Sequence, residues 1–169
     1  GETLNVAIGQ GHMLSTPMQL AVMAARIGNG ASKVMPRIAR STMRPDVPFF
    51  ETLDIAPEIL AVVREGMVAV VNDPVGGTAY RARIEDEGME MAGKTGTAQV
   101  RRITTADREA NRELEDIPWV ERDHALFVAY APLHAPRYAC AVVIEHGGSG
   151  SGVAAPVARD VLREAQRRQ

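Results

Sequence analysis

The chain has 169 residues, of which 46% are apolar and 24% are charged, and its formal net charge at pH 7 is -2. This composition is typical of a globular domain with one core, and it excludes a fibrous or disordered class. The small net charge gives no general attraction to nucleic acid, and no apolar run approaches the roughly 18 residues of a membrane helix. Because Cys140 is the only cysteine, no internal disulfide can form.

The first predicted helix has a clear start signal. Thr16 is a good capping residue, Pro17 suits the first helical position, and Gln19 stands where a capping box needs it. Apolar residues then recur at helical spacing. We therefore expect a helix from here to the sequence Gly28-Asn29-Gly30.

Residues 34–40 are predicted to form a short strand, and residues 44–48, which include two prolines, a connecting loop. From Pro57 apolar residues recur at helical spacing as far as Asn72. We expect a long, largely buried helix there, although Gly66 costs it about 1 kcal/mol relative to alanine.

The middle of the chain is predicted to alternate between loops and one strand. Residues 76–78 open a loop and residues 81–90 are charged, whereas residues 91–100 are small or β-branched and favour a strand. Residues 101–123 are polar, with few apolar anchors, so we expect a surface excursion with one or two helical turns.

Two apolar segments, residues 124–131 and 138–145, flank a short connection that contains two prolines. This spacing is typical of an antiparallel hairpin. Residues 156–166 carry an apolar stripe at helical spacing and predict a final helix. Together these elements indicate an α+β fold, an antiparallel sheet with packed helices.

Residues 88–95 formally satisfy the phosphate-binding loop pattern, a glycine followed after four residues by Gly-Lys-Thr. Such a loop needs a buried strand before it and a helix directly after it. Here acidic residues 85–87 precede the pattern and would repel phosphate, and Gly96 is a poor start for a helix. Nucleotide binding is therefore the alternative interpretation.

The same residues contain Lys94-Thr95-Gly96-Thr97, and a Lys-Thr-Gly strand is one of the elements of penicillin-binding proteins and β-lactamases. Strand alternation places Lys94 on one face and Thr95 and Thr97 on the other, so all three can serve one site only if the strand edge lines a cleft. An extended peptide could pair with that edge and approach closely at Gly96. The threonine hydroxyls could bind its carboxylate, and the Thr97 N–H could donate to an oxyanion.

The chain as a whole resembles the C-terminal half of the transpeptidase domain of class B penicillin-binding proteins, within them the penicillin-binding protein 2 group. The similar segments follow the family's order along nearly the whole chain: residues 9–11, 16–21, 93–99, 125–132 and 145–148. The resemblance implies a partial penicillin-binding protein/β-lactamase-like transpeptidase fold, with residues 91–100 as the active-site edge strand. It assigns catalytic roles to Lys94 and Thr97, and substrate binding to Thr95, Gly96, Thr97, Ala98 and Gln99.

The resemblance further implies a periplasmic domain of a membrane-anchored enzyme that cross-links peptidoglycan through an acyl-enzyme at a serine. The expected partners are peptidoglycan stem peptides, β-lactams and the upstream half of the same domain, with no nucleic acid. No cofactor is expected, and the four histidines lack the spacing of metal ligands.

The chain departs from the family because neither S-x-x-K nor S-x-N occurs in it. Residues 41–44 come nearest but end in Arg44, which cannot act as a base near neutral pH. We expect the serine and its lysine upstream of Gly1, so that residues 1–169 are the C-terminal portion of the domain. This portion should be inactive alone and could self-associate through exposed apolar surface. A non-catalytic binding module is a further alternative.

One more segment has two interpretations. Residues 147–152 alternate glycine and serine, and could cradle an anion before the last helix. A flexible turn between strand and helix is the preferred interpretation.

Overall fold

The computed structural model describes residues 2–7, 14–39, 50–100 and 114–168. The helices are α1 (Glu2–Ala7), α2 (Pro17–Gly28), α3 (Pro57–Asn72) and α4 (Ala155–Arg167). The strands are β1 (Ala92–Ala98), β2 (His124–Ala131) and β3 (Tyr138–Ile144). Short 3-10 helices occupy Tyr80–Ala82, Leu114–Asp116 and Trp119–Glu121, and a π-helical turn, Gly150–Ala154, leads into α4.

Helix α2 starts with the predicted capping box. The Thr16 Oγ1 accepts a hydrogen bond of 3.2 Å from the Gln19 N–H, and the Gln19 Oε1 accepts one of 2.8 Å from the Thr16 N–H. The helix ends at Gly28, and Gly30 follows in a left-handed conformation with a φ of 82°. Both predicted ends are confirmed.

The strand predicted at residues 34–40 is wrong for the residues that are described, 34–39. The stretch before it makes one isolated antiparallel bridge, between Ser32 and Thr52. Pro36 has no N–H to give to a ladder, and the Val34 carbonyl instead accepts hydrogen bonds of 3.3 and 3.2 Å from the Arg26 guanidinium. Arg40, the loop at residues 44–48 and the segment 9–11 lie outside the described residues.

Helix α3 has the predicted limits but not the predicted burial. Met67 and Val71 are buried, whereas Ile59 and Val62 are 61% and 68% exposed. Periodicity shows that a helix has an apolar face but not whether this chain covers it. The prediction of a largely buried helix is therefore wrong for its N-terminal half.

The sheet has the order β1-β2-β3, and both pairs are antiparallel, as the hairpin pattern predicted. We call its two sides the α2–α3 face and the α4 face. The α2–α3 face has a core made of Ala24, Met67, Ala92, Val128 and Tyr130. The α4 face has a larger core that includes Met91, Phe127, Ala129, Ala158 and Leu162. This arrangement confirms the α+β architecture.

Two further expectations concern the surface excursion at residues 101–123 and the lack of a membrane helix. Between residues 114 and 123 the chain forms two short 3-10 helices, as expected for a surface excursion, while residues 101–113 lie outside the described part. Within the ranges that the structure describes, no helix is long and apolar enough to cross a membrane.

Candidate active-site strand

The residues Lys94 to Thr97 lie in β1, at one edge of the sheet. Lys94 pairs with Val128 and Thr95 with Phe127, both on β2. On the other side of β1, no strand from the described residues pairs with it. The strand and its open edge therefore agree with the sequence prediction.

The register separates the lysine from the threonines. Lys94 pairs with Val128, a residue of the α2–α3 face core, while the partner of Thr95 is Phe127, in the α4 face core. Thr97 pairs with Ala125, which belongs to the same core as Phe127. A ligand that meets both the ammonium and the hydroxyls must lie along the edge of the strand.

Lys94 is exposed, and its Nζ donates a 2.7 Å hydrogen bond to the Thr95 carbonyl oxygen. The same Nζ lies 3.5 Å from the Thr95 Oγ1. No carboxylate in the described ranges forms a salt bridge with Lys94, so its charge is not neutralised by this part of the chain. The ammonium and the Thr95 hydroxyl thus form a small polar group that suits an anion.

Thr78, a residue that sequence reasoning treated only as part of a loop, lies beside this group. Its Oγ1 is 3.4 Å from the Thr95 Oγ1, at the long end of hydroxyl hydrogen bonds. Thr78 follows α3 and is separated from Thr95 by 17 positions, so no local pattern could have indicated the contact.

Close backbone packing holds the strand from the α4 face. A Cβ atom on Gly150 would lie 2.5 Å from the Gly96 carbonyl oxygen and 2.6 Å from the Leu126 carbonyl oxygen. Only glycine allows the turn before α4 to come this near to β1 and β2. A Cβ on Gly93 would likewise lie 2.4 Å from the Phe127 ring.

The glycine-serine segment is a turn, as preferred from the sequence. Ser149 Oγ accepts a 3.0 Å hydrogen bond from the Gly152 N–H, and Ser151 Oγ lies 3.2 Å from Ser149 Oγ. These polar groups are bound to one another, so an anion cradle is not supported.

The end of β1 is fastened by a cluster that the sequence did not indicate. Beyond Ala98 and Gln99, both exposed, the Val100 N–H donates a 3.2 Å hydrogen bond to Asp123 Oδ1. His124 Nδ1 accepts a 2.9 Å hydrogen bond from the His146 N–H, and the two imidazole centroids are 4.7 Å apart. The histidines thus have a structural use here, and the described ranges hold no group of three metal-ligating side chains.

The segment before β1 is anchored to α4. Asp86 accepts hydrogen bonds of 2.7 Å from Arg163 Nε and 2.9 Å from Arg167 Nη2, and Gln166 Nε2 donates one of 3.0 Å to the Met89 carbonyl. The hydrogen bond from Arg163, then that from Arg167, hold the pKa of the Asp86 carboxyl below its ordinary value. This polar clamp ties the segment before β1 to α4.

The structure does not support the nucleotide-binding alternative for Gly88 to Thr95. Lys94 and Thr95 lie inside a strand that continues to Ala98, and no helix begins at residues 99–100, the described residues that come next. The Gly88 N–H donates a 3.1 Å hydrogen bond to Glu90 Oε1 instead of facing a phosphate. A phosphate-binding loop needs the helix start that is missing here.

Comparisons with known proteins agree with this geometry. The family model of the penicillin binding protein transpeptidase domain matches residues 1–163. The peptidoglycan D,D-transpeptidase MrdA of Acinetobacter baumannii is 37% identical over 170 residues, which cover 93% of this chain and 24% of that protein. The chain thus spans about a quarter of the length of this curated relative.

Two solved structures are similar in fold. The complex between penicillin-binding protein 2 and MreC from Helicobacter pylori has a TM-score of 0.76 at 29% identity, covering 98% of this chain and 27% of that one. The penicillin G acyl-enzyme complex of penicillin-binding protein A from M. tuberculosis has a TM-score of 0.64 at 28% identity, covering 96% and 34%. From the family match and these likenesses, the chain belongs to the penicillin-binding protein transpeptidase domain family, with relatives in the penicillin-binding protein 2 group.

Proposed function

We propose that residues 1–169 are the C-terminal portion of the transpeptidase domain of a peptidoglycan D,D-transpeptidase. The observation that carries this proposal is the placement of Lys94-Thr95-Gly96-Thr97 on an open sheet edge. The name of the Acinetobacter relative and the acyl-enzyme of the mycobacterial protein support the same chemistry. The parent protein would act at the periplasmic face of the inner membrane.

The strand edge binds the substrate. A peptidoglycan stem peptide, or a β-lactam in its place, pairs with the backbone from Thr95 to Gln99, and Gly96 leaves room for its close approach. The hydroxyls of Thr95 and Thr97 bind the terminal carboxylate of the ligand, and the exposed ammonium of Lys94 attracts it.

The strand also contributes to the chemical step. The Thr97 N–H donates to the oxyanion that forms when a serine attacks the carbonyl, an interaction worth roughly 3 to 4 kcal/mol in other acyl-transfer enzymes. The serine and the lysine that takes its proton are supplied by the upstream half of the domain, because S-x-x-K does not occur in these residues. Residues 1–169 are therefore inactive alone.

A fluorescent penicillin tests the proposal. The full-length parent should be labelled covalently and the chain of residues 1–169 should not. An unlabelled parent would contradict the transpeptidase assignment, and a labelled 169-residue chain would contradict its inactivity.

A matched pair of lysine variants tests the strand itself. Lys94→Gln in the parent should lower the rate constant of penicillin acylation by about 10 to 100 fold, because a charged hydrogen-bond donor to the carboxylate is lost. Lys33→Gln is the control, since Lys33 is the chain's other lysine and forms an exposed ion pair with Glu51. Equal rates for the two variants would remove Lys94 from the site.

A further inference from the structure

A cavity of about 470 Å³ lies beside Thr78, the residue whose hydroxyl approaches that of Thr95 in β1. Its walls come from the loop after α3 and from the turn that leads into α4, and they include Pro74, Thr78, Arg81, Ser151, Gly152 and Pro156. We call this cavity the Arg81 trough. The proposed function does not use it.

Two contacts join the Arg81 trough to the candidate active-site strand. On one wall, the Thr78 hydroxyl lies 3.4 Å from the hydroxyl of Thr95. On the other wall, Ser151 follows Gly150, whose Cα is so near to Gly96 that a Cβ would lie 2.5 Å from the Gly96 carbonyl oxygen. The trough is thus linked to the hydroxyl face of the strand through Thr78 and through the turn at Gly150.

The charge of the trough is set by Arg81. Arg81 is exposed and forms no salt bridge with any carboxylate in the described ranges. The neighbouring arginines are already paired: Arg83 with Glu85, Arg159 with Asp160, and Arg163 with Asp86. Arg81 also lines a smaller cavity of about 200 Å³ together with these arginines and with Glu85 and Asp86, whose carboxylates pair with Arg83 and with Arg163 and Arg167. Arg81 is the one charged residue among the described residues that line the trough, so its guanidinium is the group there that can pair with the carboxylate of a ligand.

The order of events in acyl transfer connects the trough with a second substrate. In the proposed function, Thr95 and Thr97 bind the carboxylate of the residue that leaves when the acyl-enzyme forms. The amine that later attacks the acyl-enzyme must enter from the side that this residue has vacated. Thr78, which lines the Arg81 trough and lies 3.4 Å from the Thr95 hydroxyl, connects that side with the trough.

We propose that the Arg81 trough binds the acceptor, an amine-bearing peptide with an acidic side chain, and that Arg81 pairs with its carboxylate. This inference rests on the proposed function. In the transfer step the acceptor nitrogen forms an amide bond with the acyl carbon, the ester C–O bond to the serine breaks, and the proton lost by the amine returns to the serine oxygen. Water that attacks the same ester gives the hydrolysis product instead.

The competition between amine and water supplies the test. The full-length parent is given a thioester donor and one of two synthetic acceptor peptides, which carry one free amine and differ only by a glutamate or a glutamine. The measured quantity is the ratio of transfer product to hydrolysis product. This ratio does not depend on how much of each variant is correctly folded.

Arg81→Gln should lower the ratio for the glutamate acceptor about three- to fivefold, to the level of the glutamine acceptor, as expected for one exposed ion pair. Arg81→Lys should keep part of the preference. Arg64→Gln is the matched control, because Arg64 lies on α3 and lines a different cavity. A ratio that is unchanged in Arg81→Gln, or that falls equally in Arg64→Gln, would overturn the inference.

Different results would contradict the proposed function and the acceptor site. If fluorescent penicillin does not label the wild-type parent, the proposed function is wrong. If the parent is labelled and prefers neither acceptor, the transpeptidase assignment stands and the acceptor site is wrong.

Discussion

The helices on the two sides of the sheet differ in how much of their own apolar surface this chain covers. The sheet itself is covered on both sides, since Phe127 and Ala129 on the α4 face and Tyr130 on the α2–α3 face are at most 1% exposed. Outside the sheet, Met18 of α2 and Ile59 of α3 are 55% and 61% exposed, and an apolar cavity of about 450 Å³ is lined by residues of both helices. The outer surface of α2 and α3 is therefore the apolar area that is open to the upstream half that we propose.

A pair of truncations should show the largest contrast between the faces. Leu162→Ala should lower the free energy of unfolding by about 3 kcal/mol, because Leu162 is buried in the core of the α4 face. Ile59→Ala, on exposed α3 surface, should change it by less than about 0.5 kcal/mol. Urea unfolding of the 169-residue chain measures both.

The same pair sharpens the comparison in the parent. If the upstream half covers α3, Ile59→Ala should cost about 2 kcal/mol there, because its side chain is then buried. A cost equal to that in the short chain would mean that α3 stays exposed in the parent.

The next largest effect should come from the turn that packs on β1. Gly150→Ala should destabilise the protein by about 2 kcal/mol, because the new methyl group meets two backbone carbonyl oxygens that cannot move independently. Gly152→Ala is the control, since its Cβ would meet the Ser149 Oγ at 3.2 Å, and that hydroxyl can rotate. Thermal unfolding should separate the two variants; equal melting temperatures would contradict the close packing.

The exposed apolar surface of α3 should also determine how strongly the 169-residue chain self-associates. The Val62 side chain on α3 is 68% exposed. Val62→Glu places a charge there and should weaken association of the 169-residue chain about tenfold. Val161→Glu, at a 52% exposed position of α4, should have little effect. Light scattering over a concentration series measures the constants. A wild-type chain that stays monomeric would show that the exposed surface of α3 does not drive association.

The smallest effect on stability should come from the polar clamp between Asp86 and α4. Because the arginines lower the pKa of Asp86 in the folded state, its contribution to stability is present above the unfolded pKa, near 3.8, and is lost as the pH falls through the lower folded value. Asp86→Asn should therefore lower the urea midpoint at pH 7. In strong acid the midpoint of the variant should approach that of the wild type. Glu87→Gln serves as the exposed control. A difference that is constant with pH would rule out this linkage.

The sequence predicted elements whose signals are local. The capping box of α2, the limits of α3 and the hairpin of β2 and β3 depend on neighbouring residues and appear in the structure as expected. The predicted strand was wrong over residues 34–39, because the Arg26 side chain takes the Val34 carbonyl that a ladder would use. The burial of α3 was wrong because periodicity does not reveal what covers a face.

In the candidate site, too, the local motif was predictable and the long-range contacts were not. The motif from Lys94 to Thr97 pointed to an edge strand, and the structure places these residues there. Their catalytic and binding roles stay predictions. Thr78 and the pair of His124 and His146 could not be foreseen, because 17 and 22 positions separate the partners along the chain.

The contact between Gly150 and Gly96 has a consequence for drug response. In the proposed enzyme, the strand that binds a β-lactam is supported from behind by the turn that starts the last helix. A substitution in that turn can shift the strand without touching the drug. Variants of the parent with altered β-lactam susceptibility should therefore be sought at residues 149–152 as well as in the cleft itself.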